Sequence, residues 1–369
     1  MDVARSLPRR EFLRRVGVVG LAAAAAPVLA ACSDESLESN DELSFYNWTN
    51  YIDPAILTAF RSQSGISVQY NTYTSNDELI TKLLLANTPR RHGRMTHTFD
   101  LMVPSDNFVK RFLELDLLQP IDASKNLKNI GNLQPEFRKE GFDPGNTYTI
   151  PWATGTTGIG YDTTVFSKPP DWSVFLDERY KGRMTILDEE RDAYGAALFS
   201  LGKDPNTKSG IDIDAATQQL IAMKAVIKGF DSATYLNGLA TGELVAAHAY
   251  SGDLLQAKER NPKLDYVLPA QGALRWVDSL AVPVHAPQFD NALTFMDFYL
   301  QGDISAQVAN SIQYDTANSA AVPLLSDAVA NNPVIFPPAD VLSRLSFTAD
   351  LGPEVEKLYA DGWKQVQGA

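Results

Sequence analysis

Apolar positions change period several times between Leu43 and Val103, and each change marks an element. Leu43 to Tyr46 is a short apolar run that reads as a first strand. Asp53-Pro54 then opens a helix, with Asp53 as N-cap and Pro54 at the first helical position. Ile56, Leu57 and Phe60 line one face of it, and Gly65 is its stop. Ile66 to Tyr70 is a second strand. Ser75 or Asn76 caps a second helix with Leu79, Ile80, Leu83 and Leu84 inward, and Phe99 to Val103 is a third strand. Residues 86–98 form a loop or frayed helix end whose cluster of Arg90, Arg91, His92, Arg94 and His97 is a solvated surface. Strand alternating with helix predicts a parallel or mixed sheet covered on both faces.

The second half repeats that alternation. An extended stretch rich in Gly and Thr runs from Ile150 to Tyr161 and forms the passage into a second lobe. Its glycines do not make a phosphate loop, because Gly155-Thr156-Thr157-Gly158-Ile159-Gly160 lacks both the lysine and the dinucleotide spacing. Strands follow at Met184 to Leu187, Leu244 to Tyr250 and Leu264 to Leu268. Helices carry Tyr194, Leu198 and Leu201, then Asp214 to Lys228. The stretch from Trp276 to Pro283 alternates with a period of two and returns the chain to the first lobe. Helices near Phe289 to Gln301, Ile304 to Ile312 and Pro353 to Gln367 complete the pattern.

A chain of 369 residues exceeds one ordinary core, so two lobes are expected. Charge sharpens this picture. The net charge is −13, and residues 1–31 hold five arginines but two acids, which leaves 27 basic and 43 acidic side chains beyond them. So acidic a body does not bind nucleic acid by counterion release, and it favours cationic partners. At the N-terminus, Pro8-Arg9-Arg10-Glu11-Phe12-Leu13-Arg14 is a twin-arginine pattern ahead of the weakly hydrophobic run Val16 to Ala31. That run ends in Leu29-Ala30-Ala31-Cys32, which is similar to a bacterial lipobox. Cys32 is the only cysteine, so no disulfide forms and lipidation at Cys32 is expected. The expectation is therefore export by the twin-arginine route and a lipid anchor on the outer face of the cytoplasmic membrane or in the periplasm, with no cofactor. The polar segment 32–42 serves as the tether.

The candidate chemistry centres on Arg275-Trp276-Val277-Asp278. A strand period places Trp276 and Asp278 on one face, so an indole and a carboxylate can meet the same organic cation. On these residues alone, a core tryptophan beside a strand-end aspartate is the stronger reading. The four histidines, His92, His97, His248 and His285, lack metal-ligand spacing. A secreted hydrolase with Glu189 and Asp192 as paired carboxylates stays open, although no nucleophile motif supports it.

Several motifs carry a resemblance. They are Phe45-Tyr46-Asn47-Trp48-Thr49-Asn50-Tyr51, Asn71-Thr72-Tyr73-Thr74-Ser75-Asn76 and Asp100-Leu101-Met102-Val103-Pro104-Ser105. Further on come residues 142–151 and Trp276-Val277-Asp278-Ser279-Leu280-Ala281-Val282-Pro283. From about Leu43 to the C-terminus, in colinear order, the chain resembles the bacterial spermidine/putrescine-binding proteins that serve polyamine importers of the ATP-binding cassette type. The resemblance implies an α/β, two-lobed periplasmic-binding-protein type II fold, with crossover hinge strands and an interlobe ligand cleft. Lobe 1 would comprise residues 43–153 and 278–322, and lobe 2 residues 154–277 and 323–369. It further implies a monomeric, non-enzymatic protein that hands a polyamine to a membrane permease and its ATPase, or else a binder of another cationic or small organic solute. The ligand positions it implies are Trp48, Thr49, Tyr51, Ser105, Glu189, Asp192, Tyr250, Trp276, Asp278 and Tyr314. Asn107 stands where the family has a tyrosine, Thr348 replaces a glutamine, and the Glu189/Asp192 order is inverted. Arginine, which an anionic or zwitterionic ligand needs, is absent from the matched positions.

Overall fold

The computed structural model describes residues 41–86, 99–138 and 141–369. The expected signal segment, Cys32, most of the tether and the Arg90–His97 cluster lie outside the described residues.

Among the described residues, ten strands form one mixed sheet: β1 (Glu42–Trp48), β2 (Ser67–Tyr73), β3 (Leu101–Met102), β4 (Thr149–Asp162), β5 (Met184–Ile186), β6 (Gly229–Phe230), β7 (Ala246–Tyr250), β8 (Leu264–Val267), β9 (Ala273–Ala281) and β10 (Leu345–Phe347). Their order is β2-β1-β3-β9-β4-β7-β5-β6, with β10 paired to β9 and β8 to β4. β1 runs parallel to β2 and β3, whereas β9 runs antiparallel to β3 and β4. Parallel neighbours need crossover helices, which is why the alternating pattern of the sequence survives in three dimensions.

The helix Pro54–Ser64 begins and ends as its caps require. The Asp53 carboxylate accepts from the Ala55 amide at 2.8 Å, and Gly65 takes φ 80° to turn the chain out. The helix Asn76–Ala86 buries Leu79, Ile80 and Leu83, but Leu84 is 44% exposed, contrary to the inward placement expected of it. A stripe through 79, 80, 83 and 86 already faces the core, and the next residue round is turned to solvent. Leu201 is likewise partly exposed, because it caps the helix Glu190–Ser200 rather than continuing it.

Two large apolar cores flank the middle of the sheet. One gathers Leu43, Phe45, Phe60, Trp152, Leu280, Phe295 and Tyr299. The other gathers Ile159, Trp172, Tyr194, Leu220, Leu274, Tyr359 and Val366. β4 and β9 supply side chains to both, so each strand passes from one core to the other. A third passage lies beside them, where Asp315 and Thr154 exchange backbone hydrogen bonds at 3.1 and 3.2 Å. The cleft lies beside these passages.

Candidate functional site

All ten cleft positions expected from the sequence line one cavity of about 200 Å³. Trp276 and Asp278 share a face of β9, as the period of two requires. Trp48 ends β1, and Thr49 and Tyr51 belong to the turn that follows. Glu189 and Asp192 lie at and just inside the N-terminus of the helix Glu190–Ser200, and Tyr250 closes β7. Asn107 and Thr348, the departures from the family pattern, also line the cavity.

Its rings form a continuous wall. Trp276 meets Tyr314 edge-on with ring centroids 5.1 Å apart, and meets Tyr250 at 6.2 Å. Tyr314 meets Tyr51 at 5.5 Å. Gly155 is the β4 partner of Trp276, and a side chain there would collide with the indole and with Tyr314. Gly252 gives the other side of the Tyr314 ring the same room. The glycine-rich stretch thus makes space for aromatic rings. Trp48 is anchored by its indole N–H, which donates to the Val103 carbonyl at 2.9 Å, and Tyr73 donates to the same oxygen.

Five acidic residues line the cavity, and four of them, Glu189, Asp192, Asp253 and Asp278, have carboxyls raised by burial. Burial is the largest influence on each of them, and it pushes Glu189 to about 8, Asp278 to about 7, and Asp192 and Asp253 to about 6. For Glu189 the neighbouring Asp192 charge adds to the rise. Asp278 is held down somewhat by the Ser105 and Tyr51 hydroxyls beside it. Ser105 is oriented for this by Asn76, whose amide donates to its hydroxyl at 3.1 Å and accepts its backbone N–H at 3.2 Å. Among the described residues, none of the four carboxylates is ion-paired. Arg191, in the same acidic turn, is instead committed to Glu356 at 2.9 Å. Such a site stabilises cations and strongly disfavours anions.

Asp253 and Tyr235 are cleft residues that the sequence did not disclose. The helices that carry them, Ser251–Arg260 and Tyr235–Thr241, have no clean apolar period, and the second is interrupted by Gly238. The spacing from Tyr250 to Asp253, which puts both at the junction of β7 and its helix, is the one available signal. Asp106 also lines the cavity, but its carboxylate is engaged by the amides of Asn107 at 2.8 Å and Val277 at 3.3 Å. Arg275 reaches the wall as well. Its guanidinium lies over the Phe347 ring at 4.9 Å and moderates the Asp315 carboxyl. Among the described residues, no group of His, Cys, Asp and Glu side chains is arranged to hold a metal ion, and no helix is long and apolar enough to cross a membrane.

Comparison with known proteins bears on the same cleft-bearing chain. The spermidine/putrescine-binding periplasmic protein of Escherichia coli K12 is 34% identical over 346 residues, covering 93% of this chain and 97% of its own. Among solved structures, the substrate-binding protein PotD of a spermidine/putrescine ABC transporter from Streptococcus pneumoniae superposes with a TM-score of 0.75. It shares 29% identity over 89% of this chain and 99% of its own. The Tp0655 (TpPotD) lipoprotein of Treponema pallidum reaches a TM-score of 0.76 at 26% identity, over 88% of this chain and 99% of its own. The chain shares with these neighbours the α/β type II binding-protein fold. Residues 55–337 match the model for bacterial extracellular solute-binding proteins, and it is to that family that this chain belongs.

Proposed function

We propose that the protein is the substrate-binding component of an ATP-binding-cassette importer and captures a polyamine, putrescine or spermidine, in its cleft. One observation carries this reading: four carboxylates, Asp278 buried and Glu189, Asp192 and Asp253 half-buried, line a ring-walled cavity, and among the described residues no cationic side chain is paired to them. A polyamine is an apolar rod with protonated amines, each needing an acid inside the protein, while its methylenes need flat apolar walls. Trp48, Tyr51, Tyr250, Trp276 and Tyr314 supply the walls and cation–π attraction of roughly 0.5–2 kcal/mol per ring. Glu189, Asp192, Asp253 and Asp278 supply the charge, with Thr49 and Ser105 as polar contacts.

The two cores support a division into lobe 1 (43–153 and 278–322) and lobe 2 (154–277 and 323–369), which the β4, β9 and Thr154–Asp315 passages join. Trp48, Tyr51, Ser105, Asp278 and Tyr314 then belong to lobe 1. Glu189, Asp192, Tyr250, Asp253 and Trp276 belong to lobe 2. A ligand touching both sets shifts the population towards the closed form, which a permease can distinguish from the open one. Export by the twin-arginine route, lipidation at Cys32 and action as a monomer beside the permease and its ATPase complete the reading.

A thermal-shift screen with putrescine, cadaverine, spermidine, spermine, amino acids and sugars tests the ligand class. The amines are expected to raise the melting temperature with increasing concentration. A response confined to uncharged or anionic solutes would overturn it. Mass spectrometry of the membrane-extracted protein tests for acyl chains on Cys32.

A further inference from the structure

Asp253 is gripped on both carboxylate oxygens. The Tyr314 hydroxyl donates to Oδ1 at 3.2 Å, and the Tyr235 hydroxyl donates to Oδ2 at 3.4 Å. Each phenol oxygen also accepts a backbone N–H: Tyr314 that of Asp253 at 3.2 Å, Tyr235 that of Tyr250 at 3.3 Å. The two hydroxyls therefore do different things. Tyr314 ties Asp253 to a residue beyond the helix Gly302–Ile312, whereas Tyr235 ties Asp253 to the strand end that carries the Tyr250 ring.

The Tyr235 ring is fixed from behind. It is 1% exposed and packs in a cluster with Leu187, Leu239, Leu244 and Leu254, at the first residue of the helix Tyr235–Thr241. Its hydroxyl is thus a rigid post that ties the Asp253 carboxylate to the backbone amide of Tyr250, at the end of the strand from which the Tyr250 ring projects. A cation that gains from both a ring face and a carboxylate depends on the distance between them, since both attractions fall off steeply with distance.

We infer that Tyr235 is a positioning residue for cation capture: anchored at the Tyr250 backbone amide, its hydroxyl fixes the Asp253 carboxylate beside the end of β7, so that an ammonium group against the Tyr250 ring also meets that acid. This inference rests on the polyamine reading. The titratable groups around Asp253 are Tyr235 from its helix, Tyr250 from β7, Tyr51 from the turn after β1, Tyr314, and Asp278 from β9. Glu189 and Asp192 face the same Tyr250 ring. Hydrogen bonds from the two phenols favour the ionised form of Asp253 against its burial. Loss of the Tyr235 hydroxyl therefore leaves Asp253 protonated to higher pH, and ammonium binding follows.

Calorimetric titration of the full chain with putrescine and with spermidine, from pH 6 to pH 9, tests this in the wild type, Tyr235→Phe, Asp253→Asn and the double variant. Tyr235→Phe is expected to weaken binding roughly tenfold near pH 6.5, as for a lost hydrogen bond to a charged group. The loss shrinks towards pH 9, and Tyr235→Phe adds nothing once Asp253 is Asn. Wild-type affinity in Tyr235→Phe at every pH, or an equal and pH-independent loss on the Asp253→Asn background, would overturn the positioning role while leaving the polyamine reading intact. The phenylalanine keeps the ring and its packing. Should it still lower the unliganded melting point, the pH profile of Asp253→Asn decides the matter, because a profile unchanged from wild type removes Asp253 as the group acted upon. A wild type silent to both amines removes the polyamine reading itself.

Discussion

The molecule holds two clusters of aromatic rings with nearly the same geometry and opposite purposes. In the first core, Phe295 lies 5.0 Å from Phe45 and 4.9 Å from Phe60, and Trp152 stacks on Tyr299 at 4.4 Å. In the cleft, Tyr51, Tyr314, Trp276 and Tyr250 meet at 5.1–6.2 Å. Ring contacts alone do not separate a core from a binding site. The surroundings do. Apolar side chains close the core cluster, and the Tyr299 hydroxyl there is satisfied by the Trp152 carbonyl. The cleft cluster is closed by four carboxylates that, among the described residues, make no ion pair.

Removing a ring from each cluster breaks that comparison most sharply. Phe295→Ala is expected to cost about 4 kcal/mol of stability through the cavity it leaves. Denaturant melts measure the loss, and calorimetry of the surviving folded fraction should find polyamine affinity little altered. Asp278→Asn is expected to do the reverse. It should lose about 3 kcal/mol of binding, on the order of a hundredfold, because an ammonium is left buried without its acid. Its unliganded melting point at pH 8 should hold or rise, since a buried charge is gone. Trp276→Ala falls between, with about 2 kcal/mol lost in affinity and a smaller stability loss than Phe295→Ala; equal stability losses in the two would erase the distinction between the clusters.

The acids sharpen the comparison by pH. Burial keeps protons on Glu189, Asp192, Asp253 and Asp278 in the empty folded protein at pH values where the unfolded chain, with carboxyls near ~4, has released them. Their contribution to the stability of the empty protein is therefore full below about pH 4 and is lost as pH rises through 6 to 8. Ammonium binding needs the ionised acids, so affinity moves the other way, by about tenfold from pH 6 to pH 8. Melting curves with and without spermidine across that range should diverge as pH rises. Parallel curves would show that the acids are ionised before the ligand arrives.

Much of this was legible in the chain. The caps at Asp53 and Gly65 and the period of β9 were written locally, and so the first helix and the shared face of Trp276 and Asp278 followed directly. The ten cavity-lining residues were legible through colinear motifs rather than through any one residue, since Trp276 with Asp278 taken alone reads first as core. Asp253 escaped because its helix has no apolar period and its partners, Tyr235 and Tyr314, are distant in sequence. The exposure of Leu84 escaped for a related reason: an apolar run of three residues, Leu83 to Leu85, does not say which of them faces the core. Nothing local announces that Gly155 lies under an indole, since that depends on the β4–β9 register.

That register gives position 155 an influence out of proportion to its size. A methyl group there would have to lift Trp276 and tilt Tyr314, narrowing the slot from its floor while every charge stayed in place. Gauge is thus set where β4 meets β9, and valence by Asp278 and the acids at two helix ends, so a designer could retune which chain thickness the slot admits without touching how many positive charges it demands.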